Sequence, residues 1–178
     1  MTFVALLRGI NVGQSVRVSM ADLSELVSAQ GCTQVKTYIN SGNVVFHSKL
    51  EPDILRGSIE QALLSRYGQE IRTLVLKRSQ IQAIAQAIPD YWQNDQSYRS
   101  DVAYLFPSID SDAILNALPV KKEYLELIYT PGALLWRIDR KLYGKSQINK
   151  LVAHAAYQEM TVRNVNTARK LAELVGDT

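Results

Sequence analysis

The chain has 178 residues, of which 47% are hydrophobic and 21% are charged, and its formal net charge is +3. The length fits one large domain or two small lobes, and the composition is ordinary for a soluble globular protein. Apolar runs of about 18 residues, which a transmembrane helix needs, do not occur in the sequence. The apolar run FVALL near the N-terminus is too short for a signal-peptide core, so we expect a cytoplasmic protein without a membrane partner.

Residues 1–77 predict six elements in the order strand, helix, strand, strand, helix, strand. The strands are expected at residues 3–8, 33–40, 43–48 and 70–77, and the helices at residues 21–30 and 52–67. This order is the split βαβ arrangement of ferredoxin-like folds. Right-handed crossovers would place the third strand between the first and the second. The loop after the first strand and the turn before the third would then lie at the same end of the sheet.

Residues 78–178 predict a second, related lobe. Strands are expected at residues 101–106, 123–129 and 134–139, and helices at residues 79–88, 111–118, 146–158 and 165–175, with Ser79 capping the first of these helices. This lobe therefore follows a β-α-β-β-α order, and its last helix takes the place of a fourth strand. Because no low-complexity linker separates the halves, we expect an α+β protein whose lobes, 1–77 and 78–178, pack as one compact body.

Cysteine and histidine are too few and too scattered to indicate a metal site or a redox site. Cys32 is the one cysteine, so an internal disulfide is excluded, and a buried inert thiol is favoured over a nucleophile. His47 and His154 are far apart in the sequence and make a poor zinc ligand set with a single cysteine. We therefore predict no metal site, and the sequence indicates no particular cofactor.

The first polar motif is LLRGINVG, residues 6–13, between the first strand and the first helix. Gly9 and Gly13 allow positive φ, and exposed N–H groups near a helix N-terminus favour an anion. The motif matches neither the Walker phosphate-binding loop nor the dinucleotide fingerprint. Arg8 and Asn11 should face the predicted hairpin turn, which contributes Asn40, Ser41 and Asn43.

A second polar cluster lies in the C-terminal third, where basic and amide side chains surround two predicted helix starts. Its candidate ligand-binding residues are Ser146, Lys150, Arg163, Asn164, Asn166 and Thr167. Capping explains about two of these side chains. Arg and Lys oppose the helix dipole at an N-terminus unless an anion compensates them, so the cluster indicates an anionic ligand.

With the motifs LLRGINVG, TYINSGNVVF and TVRNVNTARKL in place, the chain resembles the mainly bacterial family called domain of unknown function 1697. The resemblance implies a cytoplasmic two-lobed α+β protein and implies no reaction. The family motifs fall on Arg8 to Gly13, on Ser41 to Asn43, and on Arg163, Asn164, Asn166 and Thr167. The chain departs from them at Gln14, where the family often has glycine, and at Val165, where it often has an aromatic residue.

Three functional hypotheses follow. The favoured one is a binding protein for a nucleotide, a phosphorylated metabolite or a nucleic-acid segment, held by the residues of the two clusters. The second is an enzyme acting on a phosphorylated or acyl small molecule, with Lys150, Arg163 and Arg8 as electrophilic clamps. Tyr38, Tyr143 or a carboxylate with a perturbed pKa could serve as its base, and the sequence selects none of them. The third is a structural or oligomerising protein whose motifs are only caps and turns. No oligomeric state is indicated.

Overall fold

The computed structural model describes residues 1–176, and the chain divides into two compact units. The first unit contains Met1–Ile81 and the C-terminal residues from Leu171, and the second contains Gln82–Lys170. Each unit is built on a four-stranded sheet in which all neighbouring strands are antiparallel. The predicted α+β class is confirmed.

The first unit has the predicted ferredoxin-like order of elements. Its elements are β1 (Thr2–Leu7), α1 (Met20–Ala29), β2 (Thr33–Tyr38), β3 (Asn43–His47), α2 (Pro52–Tyr67) and β4 (Thr73–Lys77). The strands are ordered β2-β3-β1-β4, so the third strand lies between the first and the second, as predicted. Both loops at the β1 end of the sheet are thereby brought side by side.

The helices of the first unit follow from local sequence signals. The Ser19 hydroxyl caps α1 by accepting a 3.0 Å hydrogen bond from the backbone N–H of Asp22. The second helix, α2, begins with Pro52 and ends at Gly68, whose φ of +68° is left-handed. Its buried residues are Leu55, Ile59 and Leu63, which recur every four positions and pack in the core formed with β1 and β3.

The second unit repeats this strand order. After α3 (Arg78–Gln86), the elements are β5 (Tyr98–Leu105), α4 (Ile114–Ala117), β6 (Glu126–Thr130), β7 (Ala133–Asp139), α5 (Tyr143–Ser146), β8 (Met160–Asn164) and α6 (Val165–Gly176). The first residues of α3 and the last residues of α6 belong to the first unit. The sheet order is β6-β7-β5-β8, which is the same arrangement of second, third, first and fourth strands. Thus the second unit is a complete split βαβ sheet.

The fourth strand corrects the predicted β-α-β-β-α order of the second lobe, in which a helix stood in place of a strand. The strand β8 pairs with β5, with Met160 opposite Leu105 and Asn164 opposite Asp101. The sequence does not show the alternation of apolar and polar residues expected of a strand, because two buried positions, Thr161 and Arg163, are polar. A strand of five residues with two buried polar side chains lacks the apolar pattern that identifies strands.

Two predicted helices of this unit also differ. The segment expected as one helix at 146–158 holds the end of α5 and two short 3₁₀ segments, Ile148–Ala153 and Ala155–Glu159. Gln147 at a φ of +59° and His154 in an extended conformation interrupt the α-helical geometry. The helix α3 begins at Arg78, so Ser79 lies inside it and is not its cap.

Candidate functional site

The first polar motif is held in place by the side chain of Asn11. Its Oδ1 accepts a 2.9 Å hydrogen bond from the backbone N–H of Val18, and its Nδ2 donates to the carbonyl oxygens of Val18 and Asn40, both at 2.8 Å. The predicted approach of Asn11 to the hairpin turn is therefore confirmed. Since one acceptor and both amide hydrogens are engaged, the Asn11 side chain fixes the loop to its neighbours.

The hairpin turn is equally constrained. Asn43 is fully buried, and its Nδ2 donates to the carbonyl oxygen of Tyr38 and to Ser41 Oγ, both at 2.9 Å. Gly42 has a φ of +76°, and a Cβ added there would lie 2.7 Å from Leu7 Cβ and 2.8 Å from Ile10 Cδ1. Only glycine meets both requirements, so the SGN motif has a structural explanation.

Three residues of the C-terminal cluster also have structural roles. The fully buried Ser146 hydroxyl donates to the carbonyl oxygen of Tyr143 at 2.8 Å and accepts from the backbone N–H of Ile148 at 3.2 Å. Asn164 Oδ1 accepts a 2.9 Å hydrogen bond from the backbone N–H of Thr167 and caps the start of α6. Ser146, Asn164 and Thr167 therefore help to define two chain turns.

Arg163 is a buried cation on β8, with 7% of its surface exposed. Its Nη1 donates to Thr161 Oγ1 at 3.0 Å and to the carbonyl oxygen of Val162 at 2.9 Å. Burial lowers the pKa of Arg163 to about 10, a change that nearby Tyr104 partly opposes. The guanidinium remains charged at neutral pH, which makes this position costly unless the surroundings stabilise the charge.

A cavity of about 430 Å³ opens in the second unit over β5, β7 and β8, beneath the segment that runs from α5 to Tyr157. We call it the Arg99 pocket. Its charged and amide lining residues are Asn94, Arg99, Asp101, Arg140, Arg163 and Asn164, and its aromatic lining residues are Trp136, Tyr143 and Tyr157. Cavities of this volume are typical of small-molecule sites.

The register of the sheet assembles the floor of this pocket. Asp101 on β5 lies directly opposite Trp136 on β7 and opposite Asn164 on β8. Directly opposed residues of antiparallel strands share a face, and Arg99 joins them because it is two residues from Asp101 on the same strand. The pocket therefore depends on three strands whose pairing is set across the whole unit.

Arg99 and Asp101 form a close ion pair with a distance of 2.6 Å between Arg99 Nε and Asp101 Oδ2. Arg99 Nη1 also donates to the Tyr143 hydroxyl at 3.1 Å, and the guanidinium carbon lies 5.4 Å from the Tyr143 ring centroid. Burial raises the pKa of Asp101, an effect that Arg99, a weaker attraction to the Trp136 indole N–H and the charge of Arg140 reduce but do not cancel. The Trp136 N–H nevertheless lacks a hydrogen bond of good geometry to any residue within 1–176.

Arg140 is the second guanidinium that is held in position at the pocket. Its Nε donates to the carbonyl oxygen of Asp95 at 2.7 Å, and its Nη2 donates to Asn94 Oδ1 at 3.2 Å. Within the described part of the chain, no hydrogen bond occupies Arg140 Nη1, Arg99 Nη2 or Asp101 Oδ1. The pocket thus offers two donor groups and one acceptor atom to a ligand.

Of the residues predicted to bind a ligand, Arg163 and Asn164 line this pocket. Lys150 and Asn166 are exposed side chains, and the described lining does not include them. Arg99 and Asp101 were missed by the sequence analysis, which named Tyr143 only as a possible catalytic base. A charged pair at alternate positions of an otherwise buried strand, as in YRSDVAYL, is the signal that indicates such a site.

The cysteine and the histidines make only local contacts. Cys32 is 5% exposed, and burial raises the pKa of its thiol while a hydrogen bond with Ser48 lowers it. His47 Nε2 lies 3.0 Å from Thr2 Oγ1, and His154 Nδ1 accepts from the backbone N–H of Ala156 at 3.2 Å. Residues 1–176 contain no group of three or more His, Cys, Asp or Glu side chains arranged to hold a metal ion. None of the helices described there is long and apolar enough to cross a membrane.

The chain belongs to the family described as "Protein of unknown function (DUF1697)", whose signature matches residues 1–136, so the predicted membership is confirmed. A solved structure of a conserved bacterial protein, SP0830 from Streptococcus pneumoniae, is similar to it with 26% sequence identity and a TM-score of 0.82. The likeness covers 98% of each chain and shows that the two proteins share a fold. No curated protein matches the chain.

Proposed function

We propose that this member of the DUF1697 family binds an anionic small molecule in the Arg99 pocket. The observation that carries the proposal is the pair of guanidinium groups at the cavity, Arg99 and Arg140. Each is held by hydrogen bonds within the protein, and each keeps one terminal nitrogen that makes no hydrogen bond within residues 1–176. A guanidinium can donate two parallel hydrogen bonds to a phosphate or carboxylate. The predicted binding of an anion is thus proposed for a site inside the second unit.

The charge of the lining favours an anion. Arg99, Arg140 and Asp101 line the cavity, whereas the Arg163 side chain belongs to the other face of the sheet, because Arg163 lies opposite Val102 and not opposite Asp101. One carboxylate offsets one of the two remaining cations, so the lining keeps a positive excess. Each hydrogen bond between a guanidinium and an oxyanion contributes about 1.5–3 kcal/mol, and more bonds form when the anion bridges two arginines.

Preorganisation supports the same proposal. Asp101 and Tyr143 hold Arg99 in place, and Asn94 with the Asp95 carbonyl holds Arg140. A long side chain that is already ordered loses less conformational entropy when a ligand arrives, which improves affinity. An isolated surface arginine would lack this advantage.

A second candidate function is an enzyme acting on a phosphorylated or acyl molecule in the same pocket. The observation that favours it is Asp101, a buried carboxyl with a raised pKa beside a cavity, which is the environment of many proton donors and acceptors. Turnover of a bound phosphorylated or acyl compound, abolished in Asp101→Asn, would distinguish this function from simple binding.

The test is calorimetric titration with inorganic phosphate and pyrophosphate. Arg140 is exposed, so Arg140→Ala should fold normally and weaken binding by about 10-fold or more, because it loses a charge-assisted hydrogen bond. Lys49→Ala removes the same charge from the first unit and serves as the matched control. The proposal is wrong if neither probe binds wild type, or if Arg140→Ala binds as tightly as wild type.

Lys150→Ala separates this pocket from the surface predicted by the sequence. A shared anion-binding surface of Arg8, Lys150 and Arg163 stays a prediction, and it requires Lys150→Ala to weaken phosphate binding. The pocket proposal expects no such loss. Arg163 itself is less suitable for substitution because its buried guanidinium takes part in packing and hydrogen bonding on β8.

A further inference from the structure

We propose that the ligand of the Arg99 pocket is a nucleotide whose base presents an amino group to Asp101 while its phosphate contacts Arg99 and Arg140. This inference rests on the proposed function and deepens it by naming the class of ligand. It starts from the acceptor that the pocket offers beside its cations.

Asp101 has an unused acceptor at the floor of the pocket. Its side chain is 6% exposed, and Arg99 Nε occupies Oδ2 at 2.6 Å. Within residues 1–176 no donor makes a hydrogen bond of good geometry to Oδ1, although the Trp136 N–H attracts the same carboxyl. Because Asp101 lines the cavity, a ligand can donate a hydrogen bond to this oxygen.

The ion pair also fixes the direction in which Asp101 can accept. Since Arg99 holds Oδ2, the carboxylate cannot rotate freely, and Oδ1 is the atom left to a ligand. A fully ionised oxyanion has no donor for this atom, so Asp101 weakens its binding without preventing it. The ligand that suits the whole lining therefore carries a hydrogen-bond donor as well as an oxyanion.

The walls of the pocket favour a flat ring as the carrier of that donor. Trp136, Tyr143 and Tyr157 line the cavity, and Trp136 lies directly opposite Asp101 across the sheet. Aromatic side chains stack on bases of any sequence because every base has a π-face. A nucleotide combines a flat ring, an amino group and a phosphate, and Asp accepts hydrogen bonds from the exocyclic amino group of a base.

The experiment compares matched pairs of nucleotides that differ only in the amino group. Adenosine monophosphate is paired with purine riboside monophosphate, and cytidine monophosphate with its analogue lacking the 4-amino group. A site that accepts a hydrogen bond from a ligand's amino group binds an analogue lacking that group more weakly. We therefore expect at least one of the two amino-bearing nucleotides to bind 10-fold or more tightly than the analogue paired with it. Inorganic phosphate is the third probe, and its binding should be weaker than that of this nucleotide.

Trp136 provides a direct readout. The chain has two tryptophans, Trp92 and Trp136, so Trp92→Phe leaves Trp136 as the single indole fluorophore. Nucleotide binding should change its emission with the same affinity that calorimetry measures on wild type. If Trp92→Phe does not fold, calorimetry on the wild-type chain is sufficient to test the inference.

Asp101→Asn tests the acceptor itself. Arg99 Nε requires an acceptor, so the carbonyl of the new amide faces Arg99 and its NH₂ faces the ligand. The preference for the amino-bearing nucleotide should disappear, while Lys49→Ala retains it. Phosphate binding that depends on Arg140 without tighter nucleotide binding, or equal affinities within both matched pairs, would overturn the inference and leave the proposed function standing. No binding of any probe would overturn both.

Discussion

Asn11 donates a 2.8 Å hydrogen bond from its side-chain amide to the carbonyl oxygen of Asn40 and so joins two loops that are 29 residues apart in the sequence. The same side chain bonds both backbone groups of Val18. Asn11 has a φ of +57°, a conformation that asparagine tolerates better than most residues with a β-carbon. The residue therefore combines an unusual backbone conformation with three hydrogen bonds.

Replacing Asn11 should destabilise the first unit in two separable ways. Asn11→Ala loses the hydrogen bonds and adds left-handed strain, so we expect a loss of about 2–3 kcal/mol in unfolding free energy. Asn11→Gly loses the bonds alone and should be about 1 kcal/mol more stable than Asn11→Ala. Urea unfolding measures both. Equal stability of the two variants would contradict a strained backbone at Asn11.

Gly42 should not tolerate a β-carbon. Gly42→Ala combines a φ of +76° with contacts of 2.7 Å and 2.8 Å to Leu7 and Ile10, so we expect a loss of more than about 2 kcal/mol. Gly57→Ala is the matched control, because Gly57 lies within α2 and nothing lies within 4 Å of its added β-carbon. There alanine should stabilise the unit by about 0.5–1 kcal/mol. Thermal unfolding of both variants should show shifts of opposite sign.

Asp101 and Glu126 should give the second unit opposite pH dependences. Burial raises the pKa of Asp101, so the folded state holds its proton more tightly than the unfolded state does. As pH rises from the ordinary aspartate pKa through the raised one, wild type should lose stability relative to Asp101→Asn, which does not titrate.

Glu126 should show the opposite pH dependence because its pKa is lowered in the folded state. Burial raises the pKa of this carboxyl, but hydrogen bonds from Tyr91, Arg137 and Trp92 outweigh burial and lower the pKa overall. Wild type should therefore gain stability relative to Glu126→Gln as pH rises from the lowered pKa to the ordinary glutamate value. Unfolding at a series of acidic pH values gives both difference curves, and slopes of the same sign would contradict the assignment.

Cys32 should be unreactive in the folded protein. Its thiol is buried, and burial raises its pKa, so little reactive thiolate is present at neutral pH. An aromatic disulfide reagent should modify the native chain roughly 100-fold more slowly than the guanidinium-unfolded chain. Cys32→Ser should leave phosphate binding unchanged. Rapid modification of the native thiol would show that the segment around Cys32 opens readily.

The architecture of the first unit could be predicted from the sequence because its signals are local. Ser19 and Gly68 mark helix ends that lie at or next to the observed ends, and short apolar or β-branched runs indicate the strands. The handedness of crossovers then leaves one strand order, which is the observed one. The approach of Asn11 to the Asn40 turn follows from that order alone.

The second unit and its pocket depended on tertiary structure. The strand β8 escaped detection because Arg163 and Thr161 are buried, and burial of a polar side chain is a property of its surroundings and not of its residue type. Arg99, Asp101 and Tyr143 come together across 44 residues of chain, through the pairing of β5 with its neighbours and the placement of α5. The sequence by itself determined the periodic patterns, caps and turns that act over a few residues. Only the folded chain decided which polar side chains share a cavity, because that depends on long-range register, and a shift of one residue would turn every strand side chain to the other face.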